Sequence, residues 1–341
     1  PFTFTPTVVH ATELAHMDSA AALLGRLTQA LAADAELIQQ VHRPLAAGDP
    51  FFAAMLGMHD ALGVGELPRL PLLLQRSDFM IDASEGPRLV ECNSIAAGMA
   101  PFGERVGALH AYLGEHSPGE YGEYFAGGAG RLVANPATGA MARAILSAAR
   151  EVAVELDDGG PLNFLMVVQE NEDNLFDQRL LEQALQDLGV RTHRRTFRQL
   201  HYQLSGGRND SLQLEGCGTV HAVYLRAGYQ YADYLARDLD ARRCCDALQD
   251  TRLLIERHRV AVNATVAQQL ATSKRMQLTL SRDDGSLLSS LGFDADEIAA
   301  IRGVMARMQT IHAGSAQQLR AGNDSAEWVL KNQGEGGGHC L

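Results

Sequence analysis

The sequence predicts a mixed α/β (α+β) protein, and three observations carry that expectation. Residues 161–262 alternate between strand-like and helix-like runs, the pattern of a small parallel-sheet unit. Within them Leu162-Asn163-Phe164-Leu165-Met166-Val167-Val168 is almost continuously apolar, as in a strand buried on both faces. On either side of this unit, apolar residues recur at helical spacing.

Taken in order, Ala11 to Ala46 reads as an amphipathic helix broken once. Leu70 to Asp82 and Arg88 to Asn93 read as two strands joined by the turn Ser84-Glu85-Gly86-Pro87. A helix is expected from Pro136 to about Glu155, with Asn135 as its cap and proline in the first turn, where the missing N–H costs nothing. Asp157-Asp158-Gly159-Gly160-Pro161 marks a boundary. After the strand ending at Val168, a helix from Leu175 to Leu188 should stop at Gly189, and Val190 to Phe197 and Val220 to Leu225 supply further strands. From about residue 263 the chain is expected to be helical, until Trp328-Val329-Leu330 forms a short buried strand.

Composition narrows the class. At 341 residues, 46% hydrophobic and 21% charged, the chain has enough apolar surface for one large core or two moderate ones, as a soluble globular protein has. A net charge of -12 with a pI near 5.4 argues against a nucleic-acid groove, which needs clustered Lys and Arg. The five cysteines, Cys92, Cys217, Cys244, Cys245 and Cys340, show neither a CxxC pair nor metal-ligand spacing, so a disulfide framework and a structural zinc site are both disfavoured and a reducing cytosol fits. No apolar run has the length of a membrane span, and no secretory signal precedes the first helix. The chain starts at Pro1, so an upstream segment is expected. No GxGxxG follows the first strand of the 161–262 unit, no GxxxxGK[ST] occurs, and Pro68 spoils the glycine pattern begun at Gly63 and Gly65.

Five polar constellations remain. Lys331 to His339 joins a cation, the carboxylate of Glu335 and the glycines Gly336, Gly337 and Gly338 directly after an apolar run. A lysine and close-approaching backbone N–H groups suit a nucleotide triphosphate, and an acid beside them makes sense if Mg²⁺ lies between it and the phosphates. A glycine turn with no ligand is the other reading. Gln75-Arg76-Ser77-Asp78 places two opposite charges at a strand: Arg76 can fork a substrate carboxylate with Asp78 holding it, or the two can form a plain salt bridge. Glu91 and Asn93, two apart, share a strand face and can ligate one hard cation, or can simply be solvated. Glu172, Asn174 and Gln178 follow a buried strand, where α/β sheets present ligand sites, although Asn174 alone reads as a helix cap. Arg226 and Tyr229 follow the next buried strand and could bind a carboxylate or amide, or belong to a surface loop.

Arg76-Ser77-Asp78, Glu91-Cys92-Asn93, Asn174-Leu175-Phe176-Asp177-Gln178-Arg179, Tyr224-Leu225-Arg226-Ala227-Gly228-Tyr229 and Glu335-Gly336-Gly337-Gly338 occur in the order known from one family. The chain resembles the glutathione synthetases of the eukaryotic type, from roughly residue 70 to its end and weakly in the first helix. Leu253 to Arg257 and Ala267 to Lys274 share in the likeness. The resemblance implies an ATP-grasp fold with an inserted small parallel-sheet α/β substrate-binding domain. Residues 1–158 would form the N-terminal part of the ATP-grasp domain, 159–262 the inserted domain, and 263–341 a helical segment and the start of the nucleotide-binding region. It implies a cytosolic homodimer that joins γ-glutamylcysteine to glycine with ATP and Mg²⁺, through an acyl phosphate. Glu91, Asn93 and Glu335 match the metal ligands. Lys274 and Lys331 match the lysines that grip ATP, with Gly336, Gly337, Gly338 and His339 beside them. Arg76, Glu172, Asn174, Gln178, Arg226 and Tyr229 match the peptide pocket, and Arg76, Lys274 and Lys331 the groups acting on the reacting atoms.

The chain departs from the family pattern in three places. Ala96 and Gly98 stand where the family has serines, so hydroxyl contacts to the substrate are lost there. His339 stands where many members have Asn. The family's chain continues beyond the glycine loop into adenine contacts and a second loop over the acceptor, so these 341 residues are expected to be a truncated piece. Two other functions fit the same motifs: an ATP-dependent carboxylate–amine ligase with a related dipeptide or acceptor, and a non-catalytic homologue that binds a thiol peptide.

Overall fold

The computed structural model describes residues 5–63, 70–119, 121–122, 131–236, 248–312, 315, 328–329 and 331. The first helical stretch is broken once, as its periodicity predicts. Helix α1 (Ala11–Ala33) and helix α2 (Ala35–Ala46) meet at Asp34, whose side chain caps α2 by accepting from Leu37 N. Ala20, Leu24, Leu27 and Leu31 form the buried stripe of α1. A third helix, α3 (Pro50–Leu62), starts on Asp49, whose carboxylate accepts from Phe51 N and Phe52 N, with Pro50 in the first turn. Sequence periodicity left that helix unassigned.

Strands β1 (Arg76–Asp82) and β2 (Gly86–Asn93) form an antiparallel hairpin. The first is shorter than the expected Leu70 to Asp82, because side chains claim the backbone before it: Leu74 N donates to Asn263 Oδ1, and Gln268 Nε2 donates to Leu72 O. Helix α4 (Ala100–His116) follows, then α5 (Ala137–Glu155), which begins one residue later than expected. Pro136 is its cap residue, and Asn135 Oδ1 accepts from Ala137 N.

The expected parallel sheet is present. Strand β3 (Asn163–Val168) leads to helix α6 (Leu175–Asp187) and strand β4 (Arg191–Thr196). Helix α7 (Phe197–Gln203) and a three-stranded antiparallel sheet follow, of β5 (Leu204–Gly206), β6 (Leu212–Leu214) and β7 (Gly218–Val220). Strand β8 (Ala222–Leu225) is separate from β7, so the expected single run from Val220 to Leu225 divides at His221. Helix α8 (Gln249–Arg257) and strand β9 (Ala261–Asn263) complete the sheet, whose order is β4-β3-β8-β9. All of its neighbouring strands are parallel. The third region is helical as predicted: α9 (Val266–Ala271), α10 (Lys274–Arg282), α11 (Ser286–Ser290) and α12 (Ala295–Val304). Trp328 and Val329 are not in a strand, and Leu330 lies outside the described residues.

Every residue of β3 is buried, because the sheet is covered on both faces. Phe164, Met166 and Tyr224 pack on one side against Ile145, Ala149 and Val152 of α5 and Leu181 and Leu185 of α6. On the other side Leu165, Val167, Val223 and Leu225 share a core with Leu24, Leu27 and Leu31 of α1, Met55 of α3, and Leu270 and Met276 of the third region. Residues from all three sequence regions therefore meet across one sheet, and the strand ends carrying polar residues are held by a common core.

Candidate functional site

The β1–β2 register places Arg76 opposite Asn93 and Asp78 opposite Glu91. Arg76 closes its fork on Asp78, with Nε donating to Oδ1 at 2.7 Å and Nη2 to Oδ2 at 2.9 Å. This hydrogen bonding holds the guanidinium pKa above its usual value against the opposing effect of burial. Asp78 Oδ2 also accepts from Asn93 Nδ2 at 3.2 Å, which leaves the amide oxygen of Asn93 as its remaining ligand atom. Glu91 Oε2 lies 3.7 Å from Nζ of Lys274, the first residue of α10. Lys331 Nζ donates to Val90 O at 2.8 Å. Its pKa is lowered by burial first, and it feels Glu91 and Asp78 as attracting charges and Lys274 as a repelling one. Two carboxylates, one amide and two ammonium groups from four parts of the chain thus converge at one end of the hairpin.

The oxygen donors there suit a hard cation. Magnesium takes one or two protein carboxylates and fills its shell with phosphate and water, and Asp78, Glu91 and Asn93 supply that kind of donor. Among the described residues no group of three or more His, Cys, Asp or Glu could hold a metal ion. The expected third ligand, Glu335, lies outside the described residues with Gly336, Gly337, Gly338 and His339. Cys92 is no candidate nucleophile, since burial pushes its thiol up to about 12.

A second cluster sits at the C-terminal ends of β3 and β8. Arg226, 5% exposed, lies 3.5 Å from Asp177 Oδ2, and its buried Nε has no hydrogen-bond partner among the described residues. Gln178 is buried on α6 and accepts from Arg194 Nη2, while its own Nε2 likewise has no hydrogen-bond partner among the described residues. Asn174 precedes α6 but its side chain makes no capping bond, so the capping role that its position suggests is not the one it performs. Glu172 Oε1 accepts from Asn174 N at 2.9 Å, and Glu172 itself is half-buried. Burial raises the phenol pKa of Tyr229, with Asp233 adding to it, while Gln169 hydrogen-bonds the phenol and Glu172 and Arg226 act on it by charge. Its loop is fixed by Asp233, whose Oδ2 accepts from Gly228 N and Tyr229 N.

The segment 94–99 joins the two clusters. Ala96 N donates to Leu225 O at 3.0 Å, and Tyr224 OH donates to Ala97 O at 2.6 Å. Asp177 accepts from Met99 N and Phe102 N, so one carboxylate caps α4 and faces Arg226. Ala96 and Met99 have positive φ, 51° and 77°, conformations that these three ties hold in place. Gly98 lies against Arg226: a Cβ there would lie 2.4 Å from Arg226 Nη1, so the guanidinium would have to shift. Arg76 Nη1 lies 3.4 Å from Gly98 O, so Gly98 touches the arginine of each cluster. A cavity of about 550 Å³ opens here, lined by Arg76, Gly98, Asn135, Ala140 and Met141 among others.

Three of the residues that organise this site carried no role in the sequence reading. Asp177 was legible only as part of its motif, and Asp233 and Gln169 act through loop backbone and a distant phenol. Adjacency to Gln178 was the available signal for Asp177, since an acid at the first turn of a helix beside a buried amide faces the same strand ends.

The chain is similar in sequence and in fold to known proteins. Human glutathione synthetase is 28% identical over 353 residues, covering all of this chain and 69% of that protein. The chloroplastic glutathione synthetase of Arabidopsis thaliana is 25% identical over 323 residues, covering 94% of this chain and 56% of that protein. In structure the chain is similar to a glutathione synthetase-like effector of Globodera pallida in its apo form, with a TM-score of 0.69 at 14% identity, covering 94% of this chain and 71% of the other. That likeness supports an α/β fold of the ATP-grasp type. The sequence profile described as the eukaryotic glutathione synthase ATP-binding domain matches residues 1–341, and with the whole chain matched, this protein belongs to the eukaryotic glutathione synthase family.

Proposed function

We propose that this protein is an ATP-dependent ligase that joins γ-glutamylcysteine to glycine, with the hairpin cluster holding nucleotide and metal and the sheet-end cluster holding the dipeptide. The observation that supports this reading most is the placement of Arg76. It is tied to Asp78 on the metal side and reaches Gly98 on the dipeptide side, which is where a carboxylate and a phosphoryl group have to meet. Glu91, Asn93 and Glu335 are the proposed Mg²⁺ ligands, with Asp78 beside them. The bound ion would offset phosphate charge. Lys274 and Lys331 hold phosphate oxygens and lower the repulsion between two anions, a term that grows as water is excluded. The residues named so far serve the nucleotide and the metal, and a second set serves the dipeptide. Arg226, Tyr229, Gln178, Asn174 and Glu172 bind the γ-glutamyl dipeptide, the buried donors Arg226 Nε and Gln178 Nε2 being the ones with hydrogen bonds still to give.

In the proposed reaction a carboxylate oxygen of the dipeptide attacks the γ-phosphorus of ATP. ADP leaves and an acyl phosphate forms. The amine of glycine then attacks the acyl carbon, phosphate departs with the C–O electron pair, and the amine loses its proton. Gly336 to Gly338 are proposed to cover this intermediate, because water would hydrolyse it. A homodimeric state and a cytosolic site belong to the same proposal and rest on the family likeness. No helix among the described residues is long and apolar enough to cross a membrane.

The test is direct. The full-length protein, incubated with γ-glutamylcysteine, glycine, ATP and Mg²⁺, should yield glutathione and ADP in equal amounts by mass spectrometry. ADP formation with another dipeptide and none with γ-glutamylcysteine would sink the substrate assignment.

A further inference from the structure

Lys274 is the first residue of α10, so where its ammonium can reach depends on where that helix begins. Ser273 sets the start. Its backbone is extended, its Oγ accepts from Met276 N at 3.1 Å, and its carbonyl accepts from Gln277 N at 3.0 Å. A capping hydroxyl still has its own hydrogen to place, and Ser273 is 2% exposed, so bulk water does not take it.

That hydrogen goes to His42 on α2. Ser273 Oγ lies 2.7 Å from His42 Nε2, while His42 Nδ1 lies 2.8 Å from Ile38 O. A carbonyl can only accept, so Nδ1 carries the ring proton and Nε2 is the acceptor. The result is a one-way chain in which Met276 N–H donates to Ser273 Oγ, Ser273 O–H donates to His42 Nε2, and His42 Nδ1–H donates to Ile38 O. The ring is fully buried and lies parallel to Phe52, 6.1 Å between centroids with 11° between planes. Arg275 Nε adds a second tie from α10 to α2, 3.4 Å from Val41 O. An apolar side chain would fill this place without the cost of burying an imidazole. What the imidazole adds is a direction for the Ser273 hydroxyl.

We propose that His42 is a positioning residue for Lys274, acting through Ser273, so that a buried side chain on the N-terminal helices fixes the phosphate-binding lysine. This rests on the role given to Lys274 above. With the chain cut at Nε2 the first turn of α10 loses its reference, and a displacement at Ser273 is carried outward along the lysine stem.

The experiment uses the full-length protein and measures KM for ATP, KM for the dipeptide and melting temperature. H42L should raise the ATP KM about five- to tenfold, the worth of a lost buried hydrogen bond, and leave the dipeptide KM unchanged. H42Q, whose amide can accept from Ser273 and donate to Ile38, should recover most of the loss. S273A should reproduce H42L, and H42L/S273A should be no worse than S273A, because both variants cut the same chain. K274Q separates the two levels of the argument. If K274Q leaves the ATP KM unchanged, the role given to Lys274 fails and the proposal with it. If K274Q is impaired while H42L melts normally and has a wild-type ATP KM, or H42Q does no better than H42L, only the role of His42 is overturned. Should H42L not fold, S273A decides: an unchanged ATP KM in that variant overturns the proposal.

Discussion

Replacing Arg226 by alanine separates the dipeptide site from the nucleotide site. The guanidinium is 5% exposed and Asp177 is 2% exposed at 3.5 Å, so the pair is desolvated. Breaking a buried pair typically costs about 3–5 kcal/mol, but Asp177 keeps its bonds from Met99 N and Phe102 N, which argues for a stability loss of about 2 kcal/mol. Losing a desolvated charged contact to a ligand costs roughly 2–5 kcal/mol, or about 30- to 5,000-fold in kcat/KM. Asp177 already neutralises part of the charge that a substrate carboxylate would meet, so the lower half of the range is expected, about 30- to 300-fold. Steady-state kinetics with varied γ-glutamylcysteine at saturating ATP and glycine, beside a melting curve, gives both quantities. R226K keeps the charge and loses the fork, and should fall between wild type and R226A. ATP binding without dipeptide should change by less than about twofold, since no nucleotide group is proposed to touch Arg226. A variant that binds dipeptide normally and ATP poorly would show that Arg226 had been placed in the wrong half of the site.

G98A places a Cβ 2.4 Å from Arg226 Nη1, so the guanidinium must retreat by about 1 Å to ordinary contact; as the end of a flexible side chain it can, and melting should move little while dipeptide kcat/KM falls about tenfold or more. A wild-type kcat/KM would refute the claim that this contact aims Arg226. E91Q should raise the Mg²⁺ concentration for half-maximal turnover about tenfold or more, and identical Mg²⁺ dependence would remove Glu91 from the ligand set. Stability should fall as the pH drops below about 6.5, because His42 and His221 are buried with folded pKa values below the unfolded one. In that window the unfolded chain binds more protons, so their contribution is complete above the unfolded pKa and is lost as pH falls through the folded values. His42 has Arg275 and His59 nearby to oppose a second charge, and His221 Nδ1 already accepts from Asn163 N. Urea unfolding at pH 7.5 and 5.5 measures the effect, and equal stabilities would contradict the neutral assignment of both rings.

The sequence by itself determined the doubly covered strand β3, because seven nearly continuous apolar residues between turn signals have few other uses. It determined the break between α1 and α2, the face shared by Glu91 and Asn93, and the end of α6 before Gly189, since each follows from a local period or a backbone preference. The candidate site was readable as separate clusters at strand ends. What only the tertiary structure decided is which clusters meet. Lys331 reaches Val90 O across 241 residues, and His42 reaches Ser273 across 231. Strand β9 has three residues, too few to show a period, and is defined by pairing with β8. Arg76 had two readings in sequence, a substrate fork or a salt bridge to Asp78; the structure shows the salt bridge, with one further nitrogen reaching Gly98. A local pattern states which way a side chain faces on its own element. Which distant group it meets is a property of how the common core packs the elements together, and no residue pattern within one element encodes that.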